Sequence, residues 1–101
     1  MITKVFSVYD SKAHVFNLPF YQPTTPAAIR MFSDLCNDAQ SMVFRHPGDY
    51  VLYEIGEYDD SIGKFTSYSE HHHLGVGSQY KMMSAPSLSR EEKVLDLKEV
   101  N

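Results

Sequence analysis

Apolar and polar positions alternate over residues 2–9, with Val5, Ser7 and Tyr9 on one side and Phe6 and Val8 on the other. Side chains of an extended chain point to opposite faces in turn, so this β-branched and aromatic run predicts a strand. The turn-prone pair Asp10-Ser11 ends it. Residues 17–26 contain Pro19, Pro23 and Pro26. Proline lacks the backbone donor that a central strand needs, so the segment reads as a loop. Phe16, Leu18, Phe20 and Tyr21, in and beside it, suit either a cover over the core or a contact surface.

The period then changes. Thr25-Pro26 opens a helix, with the hydroxyl able to accept a first-turn N–H and proline suited to the first position. Ala28, Ile29, Phe32 and Leu35 recur at spacings of three and four, with Cys36 beside the stripe, so the helix runs to Asn37 or Asp38. Residues 45–49 form a turn, and residues 50–56 a second strand with Val51, Tyr53 and Ile55 opposed to Leu52 and Glu54. Asp59-Asp60-Ser61-Ile62-Gly63 is a hairpin loop in which Gly63 takes positive φ. Residues 64–68 form a third strand, and residues 74–80 a fourth, with Gly75 and Gly77 marking a bulge. Residues 84–89 read as a linker, and a Ser89–Glu92 capping box starts a final short helix carrying Val94, Leu95, Leu97 and Val100.

The expected class is therefore α+β, with residues 1–83 as one domain and 84–101 as a linker and helical extension. The sheet is mixed or antiparallel, of three to four strands, with one main helix packed on a face. The first two strands, joined through a helix, can be parallel neighbours by a right-handed crossover.

Composition sharpens this picture in three ways. With 101 residues the chain holds one domain. Its single cysteine excludes an internal disulfide framework and points to a reducing compartment. Its net charge of −4 disfavours a general DNA-coating protein, because phosphate backbones are held chiefly by Lys and Arg. No window approaches the ~20 apolar residues of a membrane span. No signal-peptide pattern opens the chain, so the cytoplasm is the expected location.

No motif spells out an enzyme. In an extended segment His71, His72 and His73 point to alternate faces and do not build one tetrahedral site; they read as a solvated loop. Asp59-Asp60, with Glu54 and Glu57, lacks the ligand spacing of a calcium loop. Gly75-Val76-Gly77 lacks the lysine and the following helix of a phosphate loop. No catalytic residue, metal ligand or cofactor is expected. For nucleic acid, Tyr9, Phe16, Phe20, Tyr21, Tyr53, Tyr58, Phe65 and Tyr68 are candidates for stacking. Lys4, Lys12, Arg30, Arg45 and Lys64 offer charge.

Two ordered stretches carry a family likeness. One is Val5-Phe6-Ser7-Val8-Tyr9-Asp10-Ser11-Lys12-Ala13, continuing through Pro19-Phe20 to Ala28-Ile29-Arg30-Met31-Phe32-Ser33-Asp34 and Asn37-Asp38. The other is His46-Pro47-Gly48-Asp49-Tyr50, with Leu52, Ile55-Gly56 and Tyr58-Asp59-Asp60. Together they resemble the small non-structural protein of gokushovirus-type Microviridae, single-stranded DNA bacteriophages. The resemblance implies a non-enzymatic protein of the host bacterial cytoplasm that assists single-stranded DNA genome synthesis or packaging. Its implied partners are single-stranded DNA, phage or host replication or assembly proteins, and further copies of itself. Lys12 and Arg30 are the expected DNA-backbone contacts, and Tyr9 and Phe20 the expected stacking residues. The alternative is a homo-oligomeric interaction module, regulatory or virion-associated, without direct DNA contact.

Overall fold

The first strand, β1 (Ile2–Asp10), sits between two antiparallel neighbours in a computed structural model that describes residues 1–84. On one side the chain reverses through residues 11–14 and returns as β2 (Val15–Phe16) and β3 (Phe20–Gln22), both antiparallel to β1. Asp10 Oδ1 accepts the Lys12 and Ala13 amides, and His14 takes φ 58° to close the reversal. Between β2 and β3 the Asn17 N–H still donates to the Val8 carbonyl at 2.8 Å. The two short strands are thus one edge strand with a residue inserted, flanked by Pro19 and Pro23. Within the proline-rich segment read as a loop, Phe20–Gln22 is an edge strand, while Pro19 and Pro23 lie just outside it.

The main helix, α1 (Thr25–Cys36), follows. Thr24, not Thr25, is its cap, accepting the Ala27 N–H at 3.2 Å. The buried row is Ala28, Phe32 and Cys36, while Leu35 is exposed. A row spaced by four lies along one line of the helix, and this line faces the sheet. A short helix α2 (Met42–Arg45) and a 3₁₀ turn lead into β4 (Tyr50–Asp59). β4 pairs antiparallel with β1 on the side away from β2, which replaces the expected parallel crossover. A tight turn with Gly63 at φ 64° then gives β5 (Lys64–Val76), thirteen residues long.

These strands overturn the α+β expectation. The sheet is wholly antiparallel among the described residues and curls into a half-barrel, and strands outweigh helices there. The difference lies in β5, which runs through the histidine run read as a loop, and in the proline-rich edge. The fourth strand expected at 74–80 is instead the end of β5 followed by helix α3 (Gly77–Ser84). The reason is local. Gly75 takes φ 144° within β5, and after Val76 the chain turns so that Tyr80 is buried with its hydroxyl donating to the Leu74 carbonyl. The expected C-terminal linker and capping box lie outside the described residues.

The core lies between the sheet and its helices: Phe6, Val8 and Leu52 meet Ala28, Phe32, Cys36, Val43 and Tyr80. Phe32 and Tyr80 meet edge-on with centroids 5.8 Å apart, tying α3 to α1. Cys36 is fully buried here, and burial pushes its thiol up to about 11, so it acts as a small packed side chain.

A Cβ at Gly75 would stand 2.5 Å from Tyr80 Cε2, whereas one at Gly48 meets nothing within 4 Å. Gly75→Ala is therefore expected to cost about 2–4 kcal/mol through strain and overpacking. Gly48→Ala should stay within about 0.5 kcal/mol, as an open surface change does. Urea denaturation of both variants checks the pair, and equal stabilities would refute the packing assigned to Tyr80.

Candidate nucleic-acid interface

The register of β1, β4 and β5 sorts their side chains into rows. On the helix-free face one row is Thr3, Tyr58 and Phe65, and the next is Tyr21, Val5, Gly56 and Ser67. A third is Ser7, Tyr53 and His73, and a fourth is Phe16, Tyr9, Val51 and Val76. The rows keep one face because β4 carries an extra residue, Ile55: Val5 pairs with Gly56 but Phe6 pairs with Glu54. Such a bulge shifts the alternation by one position, so Tyr58 joins Tyr53 on the same side.

Two aromatic groups result. Tyr21, Tyr58 and Phe65 form one, with Tyr58 and Phe65 centroids 4.7 Å apart and Tyr21 at 6.1 Å from each. Tyr9, Phe16, Tyr53, His71 and His73 form the other, linked by Tyr9–Phe16 at 4.7 Å, Phe16–His71 at 5.4 Å and Tyr53–His73 at 5.6 Å. Phe16, Tyr21 and Phe65 remain 41%, 44% and 60% exposed. Beneath them Val5 and Ser7 are buried, and the Ser7 hydroxyl donates to the Asn17 carbonyl at 2.7 Å. No row contains an Asp or Glu. Ring faces at the surface of a sheet can stack on other planar groups.

The opposite face holds a polar clamp. Glu54, 4% exposed, accepts from the Tyr68 hydroxyl at 2.6 Å, the Thr25 hydroxyl at 2.8 Å and Lys4 Nζ at 3.3 Å. His72 Nδ1 stands 3.8 Å away, its ring stacked on Tyr68 at 4.5 Å. Thr25 is the first residue of α1, so the carboxylate also sits at the positive end of the helix. Burial pushes the Glu54 carboxyl up, but the three donors outweigh it and hold it below the usual range. Burial and the adjacent carboxylate push the Tyr68 phenol up. A broad cleft of about 720 Å³ opens beside them, lined also by Glu57 and Glu70. An ionised carboxylate whose oxygens already accept three hydrogen bonds is a poor base, so the group clamps β1, β4, β5 and α1 together.

The four residues singled out from sequence fall on two surfaces. Tyr9 lies in the larger aromatic group, and Lys12 is in the turn that follows it. Phe20 stacks on Phe6 at 5.7 Å, against the core. Arg30 is exposed on α1. His71 and His73 were not foreseen as members of an aromatic surface. The signal was available in the hairpin itself: a long β4 needs a partner of matching length. His72 faces the clamp while His71 and His73 face the rings, so the run is divided between two faces.

Fold and site define a small antiparallel β-domain with aromatic rings gathered on its open face. Residues 3–80 match the model of the family described as Phage ORF5 protein, and the chain belongs to that bacteriophage family. No curated protein and no solved structure matches it. No helix among the described residues is long and apolar enough to cross a membrane.

The clamp sets a pH dependence. The Glu54 pKa is lower folded than unfolded, so its stabilisation is present above about pH 4.3 and is lost as pH falls through the folded value. Glu54→Gln should cost about 1.5–3 kcal/mol at pH 7, as hydrogen bonds to a charged group do. The gap to the parent should close towards pH 3 in chemical denaturation. A gap of constant size across that range would contradict the clamp's dependence on charge.

Proposed function

We propose that this phage protein is a non-enzymatic single-stranded DNA binder of the gokushovirus type, assisting genome synthesis or packaging in the host cytoplasm. The observation that carries the reading is the exposed ring surface on the helix-free face. Single strands are bound without sequence readout by stacking bases on aromatic side chains beside basic residues. Here the rings are plentiful and the cations few, with Lys12 at one end. Binding therefore rests mainly on stacking, and its salt dependence is shallow, because few counterions are released.

Fluorescence anisotropy with a labelled single-stranded oligonucleotide tests this across a salt series. Tyr53→Ala and Phe65→Ala should each weaken binding roughly tenfold, at about 1–2 kcal/mol per lost stack. Arg30→Ala, on the helical side, should leave it unchanged. Absence of binding at low salt would remove the reading.

A second reading, a self-associating module that contacts replication or assembly proteins, is favoured by the outer edge of β5. That thirteen-residue strand has β4 on one side and no strand on the other among the described residues. An unpaired edge is a template for another strand.

A further inference from the structure

The larger aromatic group differs from the smaller in carrying two histidines. Alternate side chains of a strand share a face, so His71 and His73 stand on the open side while His72 stands on the other. Ring contacts agree with this parity. The His71 ring lies 5.4 Å from Phe16 and 6.2 Å from Tyr53, and the His73 ring 5.6 Å from Tyr53, all edge-on. His72 instead stacks on Tyr68, with Nδ1 3.8 Å from Glu54. All three histidines are exposed.

A surface that held a strand by rings alone would leave the phosphates without donors. Lysine supplies few there. Lys12 lies in the turn after Tyr9, whereas Lys4 is held by Glu54 and Lys81 donates to the Phe44 carbonyl. A base and its phosphate are joined through one sugar, so a base stacked on Phe16 or Tyr53 brings a phosphate close to the imidazoles beside those rings. A neutral imidazole offers one N–H donor and an imidazolium two. Hydrogen bonds from the charged form to an anion are roughly twice as strong as neutral ones. Histidine is the side chain whose charge changes in the physiological range.

The groups around the pair differ in sign. β1 brings Tyr9 and then Asp10, whose carboxylate accepts the Lys12 and Ala13 amides, and the turn brings Lys12 and His14. β4 brings Tyr53. On β5 itself Glu70 adjoins His71, and with Glu54, Glu57, Lys4 and His72 it lines the cleft that His71 also borders. Those carboxylates compete with a phosphate for His71. His73, in the row of Ser7 and Tyr53, does not border the cleft.

We infer that His71 and His73 are phosphate-binding groups of the open face, which turn it from a stacking surface into a cationic one as pH falls; the assignment rests on the reading of this face as a single-stranded DNA platform. His72, on the clamp side, takes no part.

The test measures anisotropy with labelled oligo(dT), whose bases do not titrate in the range used, across salt series at about pH 8 and about pH 5.5. Glu54 titrates below the usual carboxylate range, so the clamp keeps its charge at both. At low salt the parent should bind about tenfold more tightly at the lower pH, with a log–log salt slope steeper by about 1, the scale of one to two added phosphate contacts. The double variant His71→Gln, His73→Gln should match the parent at the higher pH and lose both the gain and the steeper slope. His72→Gln should keep both, and Tyr53→Ala should bind more weakly at both pH values. Equal affinity and slope for the parent at the two pH values would overturn the assignment and leave the platform standing. So would a gain that survives in the double variant or disappears in His72→Gln. Failure of the parent to bind at either pH would overturn the platform, and the assignment with it.

Discussion

One extra residue in β4 decides what each face of this sheet carries. Without Ile55 as a bulge, strict alternation would place Glu54, Gly56 and Tyr58 on the side of Leu52, under the helices. The core would then have to take in Tyr58, and the open face would lose a ring. With the bulge, Glu54 stays beside Phe6 and Leu52 while Gly56 and Tyr58 cross over. β5 answers with an excursion of its own: Glu54 pairs with His72 and Gly56 with Ser67, leaving Tyr68 to His71 opposite Ile55. That excursion lets Tyr68 reach Glu54 on one face while His71 reaches Phe16 and Tyr53 on the other. Clamp and ring surface are thus two consequences of the same irregularity.

The bulge also explains how so small a chain secures β1. Val5, Phe6, Ser7 and Val8 are all buried, although successive side chains point to opposite faces. The helices and Leu52 cover Phe6 and Val8, and on the other face Val5 is paired with Tyr21 and Ser7 with Tyr53. Rings on the open face therefore do structural work even where their outer sides meet solvent. Substituting those nearest the floor will weaken the fold as well as any contact, so Phe65 and Tyr53, at the walls, are better probes of binding than Val5.

Much of this was legible in the residues, and its limits have physical causes. β1, α1, the start of β4 and the Gly63 turn follow from period and turn chemistry, which act over a few residues. Where alternation is broken by a bulge, as at Ile55 and again from Tyr68 to His71, period alone misassigns the faces and ends the strand too soon. Gly75 does adjoin a bulge, since Leu74 is the extra residue between the Leu52–Gly75 and Tyr53–His73 pairs, but its close packing against Tyr80 arises only after the chain has turned and could not be read from period. Phe20 and Tyr21 are adjacent and chemically alike, yet one stacks on Phe6 and the other on Tyr58; strand parity set by β1 separates them. The ring surface was present in outline as a set of aromatic candidates, but choosing among them required the register.

Net charge is the remaining conflict between an acidic chain and a polyanionic ligand, and its resolution lies in position. Several carboxylates are committed locally. Asp10 and Asp59 hold the amides of their own turns, Asp38 holds the Gln40 amide, Asp60 pairs with the amino terminus and Glu54 holds the clamp. None lies in the aromatic rows. What a strand would meet on the open face is rings and histidines, with Glu57 beside the depression that Val5, Gly56 and Phe65 line. With its histidines neutral, such a surface favours bases over phosphates, so stacking, more than salt, is the variable to which binding there should respond.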